Sequence, residues 1–151
     1  MNTVLVHLLA EKSCVEEFLA LLDQEADAMK NGRFAELPHL TERKTGLLDR
    51  MAALDQARES AQVARGFEPG RAGADAAAAA DGEASLAAWT ALVELAQQAR
   101  ADNRRNGSMV YSQLDFTQNA LHYLQASAQP FYGPDGIRKS ASGTGTRLAV
   151  G

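Results

Sequence analysis

The chain has 151 residues, of which 46% are hydrophobic and 6% aromatic, and its formal net charge is −4 at pH 7. The length suits one domain, or one domain with a tail, and an acidic chain lacks the basic face that nucleic acid binding requires. The lone Cys14 excludes an internal disulfide and is typical of the reducing cytosol. With no long apolar run and no basic stretch before its first apolar segment, the chain is predicted to be cytoplasmic, without membrane insertion.

Two apolar stripes predict two long helices in the first half of the chain. The first stripe repeats every seven residues, at Leu8, Val15, Leu22 and Met29. It predicts a helix over about 3–31, with Gly32 as its stop. The second stripe predicts a helix over about 35–64, where Pro38 is tolerated only in the first turn. Because the connection is short, we expect these two helices to be antiparallel neighbours.

A third helix is predicted over about 85–128, after a Gly-, Ala- and Asp-rich segment (66–84) that we interpret as a flexible linker. Whether the alanine run in that linker is helical stays open. No alternating strand pattern occurs, so the predicted fold is all-α, an elongated antiparallel three-helix bundle with a long third helix. The helical domain is therefore 1–128, followed by a segment and flexible tail over 129–151.

The middle of the third helix carries polar residues where apolar ones are expected. Asn103 and Gly107 fall on the stripe, and Asn106 lies beside it. One interpretation is a kink, or the place where the bundle ends. The other is that Gly107 permits close backbone approach while Asn103 and Asn106 form hydrogen bonds across helices and fix their register.

Beyond this point the third helix still carries apolar residues that have no obvious partner inside the chain. The predicted binding surface is formed by Val110, Leu114, Leu121 and Leu124, with Tyr111 and Tyr123 at the flanks. Exposed apolar patches of this kind usually mark binding sites. The alternative is that these residues complete the core.

Pro130 disfavours helical backbone at the preceding residue, so the third helix is expected to end by about Ala128. Residues 133–136 are predicted to form a turn, and 137–151 hold too few large apolar residues to become ordered. Phe131 and Tyr132 would then lie between a helix end and a turn. We expect Phe131 to anchor this segment and Tyr132 to face a partner.

The sequence contains no pattern typical of catalysis. His7, His39 and His122 are far apart and lack further residues at ligand spacing, and Cys14 has acidic neighbours that blunt a nucleophile. There is no phosphate-binding glycine loop. We therefore predict no enzyme activity, no catalytic or metal-binding residues and no cofactor.

Three segments in this order resemble the FlgN family of flagellar type III export chaperones. They are LLDQEADAMKNGRFAELPHLTERKTGLLDRMAAL near the start, NRRNGSMVYSQL in the third helix and FYGPDG near the end. Together they span most of the chain outside the linker. Arg33 departs from the acidic residue that family members more often have there, which weakens the predicted cap of the second helix.

The resemblance implies a cytoplasmic chaperone that binds the C-terminal segments of the flagellar hook-associated junction proteins and prevents their premature self-association. It also implies delivery to the cytoplasmic domain of the FlhA export gate, with Tyr132 as the docking tyrosine. A helical scaffold or adaptor that binds a partner coiled coil is the alternative. Which junction protein is preferred, and whether the free protein associates weakly with itself, stays open.

Overall fold

The computed structural model describes the backbone of residues 3–132 and the side chains at positions 4–112, 115 and 118–125. Every regular element in this part of the chain is helical, which confirms the all-α class. The elements are helix α1 (Thr3–Lys30), a 3₁₀ turn (Phe34–Glu36), helix α2 (Leu37–Ala64), helix α3 (Arg71–Asp81) and helix α4 (Glu83–Tyr132). None of these helices is long and apolar enough to cross a membrane.

The connection between α1 and α2 is closed by a glycine and an arginine. Gly32 has a φ of 71°, a conformation that favours glycine, and it lets the backbone N–H of Arg33 donate to the carbonyl of Ala28 at 2.8 Å. The Arg33 side chain donates to Asp27 at 2.6 Å and to Glu36 at 2.9 Å. The hydrogen bond and the positive charge of Arg33 lower the pKa of Asp27. Arg33 thus makes no cap for α2 but ties the end of α1 to the 3₁₀ turn.

Helices α1 and α2 are antiparallel, as their ion pairs demonstrate. The pairs are Lys44 with Glu25 at 3.2 Å, Arg50 with Glu17 at 2.6 Å and Arg58 with Glu11 at 3.0 Å. Residue numbers rise along α2 while those of their partners fall along α1. The exposed pair contributes little to stability, whereas the pairs at Glu25 and Glu11 lie within the packed part of the protein.

Helix α4 runs in the same direction as α1 and shares a core with it. Trp89, near the start of α4, lines a small cavity with Leu8, and Asn106 reaches the backbone of Leu22. The main core consists of Val4, Leu8, Val15, Phe18, Leu22, Ala74, Ala78, Ala88, Trp89, Leu92 and Ala99. The predicted stripe of the first helix is therefore largely the core face of α1.

The segment predicted as a linker contains helix α3. Its small residues Ala74, Ala77 and Ala78 are buried, because alanine lets the helix approach its neighbours closely. The Gln62 side chain holds the segment that leads into α3, because it donates to the carbonyls of Glu68 and Gly70. A search for large apolar residues misses such a helix, because its contact face is made of alanine.

Helix α4 continues past its predicted end at Ala128 to Tyr132. Pro130 does not stop it, since proline's fixed φ is itself compatible with a helix and its missing N–H removes only one bond near the terminus. By its internal contacts the chain divides within α4 into a first unit, Met1–Asn106, and a second unit that begins at Gly107. The predicted turn at 133–136 and the predicted disordered tail at 137–151 lie outside the described residues.

Candidate protein-binding surface

The second unit carries large apolar side chains that are open to solvent. Val110, Leu121 and Leu124 are 49%, 55% and 60% exposed, and Tyr111 and Tyr123 are more exposed still. None of them belongs to either core cluster of buried residues. The side chain of Leu114, the remaining residue of the predicted surface, lies outside the described residues. These five side chains are therefore not part of the described core, and a binding role for them stays a prediction.

Helical geometry separates these residues into a stripe and its surroundings. At about 100° per residue, positions 110, 114, 121 and 124 fall within an arc of about 80°. We call this set the apolar stripe (Val110, Leu114, Leu121 and Leu124). Tyr111 lies at its edge, about 100° from Val110. Tyr123 lies on the far side of the helix, and the role of both tyrosines in binding stays a prediction.

A polar anchor (Glu25, Lys44 and Asn106) joins the three long helices at the end of the first unit. The Asn106 side chain is 1% exposed, and its amide nitrogen donates to the carbonyl of Leu22 at 2.8 Å and to Glu25 at 2.9 Å. Lys44 from α2 donates to the same Glu25 oxygen at 3.2 Å. The Asn106 oxygen accepts from Arg105 at 3.1 Å. A buried amide with both ends bonded specifies one register of α4 against α1.

Asn103 and Gly107, the other two residues predicted to mark a kink or fix the register, have surroundings that differ from those of Asn106. Asn103 is exposed, and among the described residues no hydrogen bond from it reaches another helix. A Cβ added to Gly107 would meet no atom within 4 Å, so this glycine is not at a close helix–helix approach. Sequence reasoning also missed Glu25 and Lys44, which look like ordinary surface charges until the helices are placed together.

A second polar group, the Trp89 cluster (Glu11, Arg58, Asp75 and Trp89), takes one residue from each helix; Glu11 and Trp89 are buried, whereas Asp75 is exposed. Arg58 donates to both Glu11 oxygens at 3.0 and 3.1 Å, and its guanidinium lies 5.0 Å from the centre of the Trp89 ring. The indole N–H donates to Asp75 at 2.6 Å and lowers the pKa of that carboxyl. Burial raises the pKa of Glu11, although Arg58 acts in the opposite direction. The Trp89 cluster holds the start of α4 on the other helices, and the polar anchor holds α4 at the end of the first unit.

Cys14 is buried, its thiol faces the carbonyl of Leu47, and burial raises its pKa. Within the described part of the chain, no three His, Cys, Asp or Glu side chains come together as metal ligands would. Phe131 and Tyr132 are the last residues of α4, and their side chains lie outside the described residues.

Comparison with known proteins identifies the family. The family model described as FlgN protein matches residues 1–140, a range that contains the three segments on which the resemblance rests. The chain belongs to the FlgN family. A FlgN relative from Yersinia enterocolitica, named flagella synthesis protein FlgN, is 27% identical over 139 residues, covering 90% of this chain and 89% of its own length. The FlgN of a serotype O:8 strain of that species matches equally well, and no solved structure matches significantly.

Proposed function

We propose that this member of the FlgN family is a cytoplasmic export chaperone for the hook-associated junction proteins of the flagellum. Membership of the family implies a role in flagellar synthesis. The finer function is that the chain binds C-terminal segments of the junction proteins, keeps them from associating prematurely, and delivers them to the cytoplasmic domain of the FlhA export gate. The proposal includes an elongated three-helix bundle as the body and a flexible tail after the docking residues.

The observation that carries the proposal is the exposure of Val110, Leu121 and Leu124, three residues of the apolar stripe, on a continuous helix. An unfolded segment with its own apolar face can lie along such a helix and become helical as it binds, because burying both faces offsets the entropy of ordering. The stripe is not needed for the core of the first unit, which is built from other residues. Binding and release of this kind require no bond to be made or broken.

Replacing Leu121 by aspartate tests the location of the cargo surface. Because Leu121 is 55% exposed, the substitution should leave the melting temperature nearly unchanged. A charge at the centre of the stripe should weaken binding of a junction-protein C-terminal segment by about 100-fold, as at an interface hot spot. Both quantities can be measured on purified protein, by thermal melting and by isothermal titration calorimetry.

Leu86→Asp is the matched control, since Leu86 is also exposed on α4 but lies in the first unit. It should bind cargo like the wild type. Equal loss of binding in both variants would mean that charge anywhere on α4 is harmful and would remove the support for the stripe. A large fall in melting temperature for Leu121→Asp alone would place Leu121 in a core.

Tyr132 is proposed to dock on the export gate, with Phe131 as its anchor. Tyr132→Ala should weaken binding to the FlhA cytoplasmic domain by about 2 kcal/mol while leaving cargo affinity unchanged. Tyr123→Ala removes another exposed tyrosine from the same helix and should leave affinity for the FlhA cytoplasmic domain unchanged. If Tyr132→Ala binds the FlhA cytoplasmic domain as tightly as the wild type, Tyr132 is not the docking residue.

A further inference from the structure

The C-terminal half of α4 is almost free of charge. Residues 107–132 contain one charged residue, Asp115, one histidine, His122, and no lysine or arginine. Both of these side chains are exposed, and at about 100° per residue both lie more than about 100° away from the centre of the apolar stripe. The stripe and its two edges are therefore electrically neutral, in contrast to the ion pairs that join α1 to α2.

Glutamines occupy the sequence positions beside the stripe, where charged residues commonly border a helix interface. Gln113, Gln118 and Gln125 occupy positions within about 80° of its centre. The side-chain oxygen of Gln125 is shielded from solvent and has no hydrogen-bond partner in the described part of the chain. A glutamine amide donates and accepts hydrogen bonds without carrying a charge, so these positions suit uncharged polar partners.

These observations limit the chemistry of the occupant. A charged side chain pressed against the stripe would lose its hydration and gain no counter-charge, which is unfavourable. A neutral donor such as an asparagine, glutamine, serine or threonine side chain could instead bond to the amides. The stripe extends about 21 Å from position 110 to position 124, the length of a helix of about 15 residues.

We propose that the stripe selects an uncharged amphipathic helix of another protein, in which leucine-like residues are bordered by amide or hydroxyl side chains, and that binding needs no ion pairs. The inference rests on the proposed chaperone function, because it specifies the segments that the stripe accepts. A second copy of the chain also offers a neutral stripe, but two copies would each bring a net charge of −4. The occupant is therefore assigned to a different protein.

The test compares three synthetic peptides of about 15 residues that share one leucine stripe and one solubilising tail. Their edge positions carry only glutamine, only glutamate or only lysine. Dissociation constants for the full chain are measured by fluorescence anisotropy at about 0.05 M and about 0.5 M NaCl, since salt screens ion pairs over this range. Leu121→Asp is the control for binding at the stripe, and sedimentation of the chain alone reports self-association.

The glutamine peptide should bind most tightly, with a dissociation constant that changes less than about twofold with salt, and the charged peptides should bind at least about tenfold more weakly. Equal or tighter binding of a charged peptide, or a dimer of the free chain that Leu121→Asp abolishes, would overturn the inference. Junction-protein segments that bind with strong salt dependence would leave the chaperone function standing and refute the neutral selection. If the glutamine peptide binds and every junction-protein segment fails to bind, the neutral selection stands and the chaperone function is refuted.

Discussion

Replacing Arg58 with methionine is expected to lower the free energy of unfolding by about 4 kcal/mol at neutral pH, because it leaves a buried carboxylate without its partner. Arg58 and Glu11 are 13% and 8% exposed at their side chains, and the guanidinium also packs over Trp89. Methionine keeps much of the contact with the ring and removes the charge. Methionine also removes the bond that Arg58 donates to the buried Gln62 at 3.1 Å. The larger part of the loss should still come from Glu11, because a buried charge costs more to leave unpaired than a neutral amide. Chemical denaturation measures it.

The pH dependence identifies the cause of that loss. Burial already raises the pKa of Glu11, and Arg58 lowers it, so removing Arg58 should raise this pKa further. A carboxyl whose pKa is raised in the folded protein contributes stability at low pH, and the contribution is lost as the pH rises through the folded pKa. The deficit of Arg58→Met should therefore be largest near neutral pH and shrink toward about pH 5.

A double variant completes the test of this pair. Glu11→Gln in the Arg58→Met background removes the unpaired charge while keeping the shape of the side chain, so most of the lost stability should return at neutral pH. A deficit that is independent of pH and persists in the double variant would instead assign the effect to the other contacts of Arg58, its packing on Trp89 and its hydrogen bond to Gln62.

Asn106→Asp is expected to lower the free energy of unfolding by about 3 kcal/mol at neutral pH. The substitution replaces a donor by a carboxylate oxygen close to Glu25 and to the Leu22 carbonyl, where the amide nitrogen lies at 2.9 and 2.8 Å. The new carboxylate and Glu25 would repel each other at this separation. The two hydrogen bonds of the Asn106 amide nitrogen would also be lost, so that the new oxygen faces two acceptors, Glu25 and the Leu22 carbonyl. Arg105 offsets part of the cost, because it already contacts the other oxygen of residue 106.

Acidification and a neighbouring control separate this effect from a general cost of added charge. As the pH falls, a proton shared by the two carboxylates restores one hydrogen bond, so Asn106→Asp should regain stability relative to the wild type. Asn103→Asp adds the same charge at an exposed position one turn away and should change stability by less than about 0.5 kcal/mol. Equal effects of the two substitutions would contradict the role of Asn106 as a register-fixing contact.

Apolar spacing predicts the long helices of this chain because their large side chains alternate in burial with the helical period. The stripe through Leu8, Val15 and Leu22 is the core face of α1, and Gly32, with its positive φ, follows the end of α1 at Lys30. Helix α3 escaped that reasoning, since its contact face is made of alanines such as Ala77, whose small size matters only once a neighbouring helix lies against it.

The polar contacts could be predicted only in part, since they depend on how separate helices align. Asn106 stands out in the sequence as a polar residue near an apolar stripe, but Glu25 and Lys44 cannot be told apart by sequence from the many other charged residues of α1 and α2. Their pairing follows from the alignment of three helices, which no local pattern records. Tyr123 is two residues from Leu121 in sequence, yet the helical period places it on the opposite side of α4.

Hydrogen exchange of the chain with and without a junction-protein C-terminal segment, followed by mass spectrometry, tests the central claim most directly. We expect cargo to slow amide exchange over 107–125, because a helix with one face exposed opens more readily than one covered by a partner. Exchange in α1 and α2, whose apolar faces already pack in the core, should stay unchanged. Slowed exchange confined to α1 or α2, with no change over 107–125, would contradict the assignment of the apolar stripe as the cargo surface.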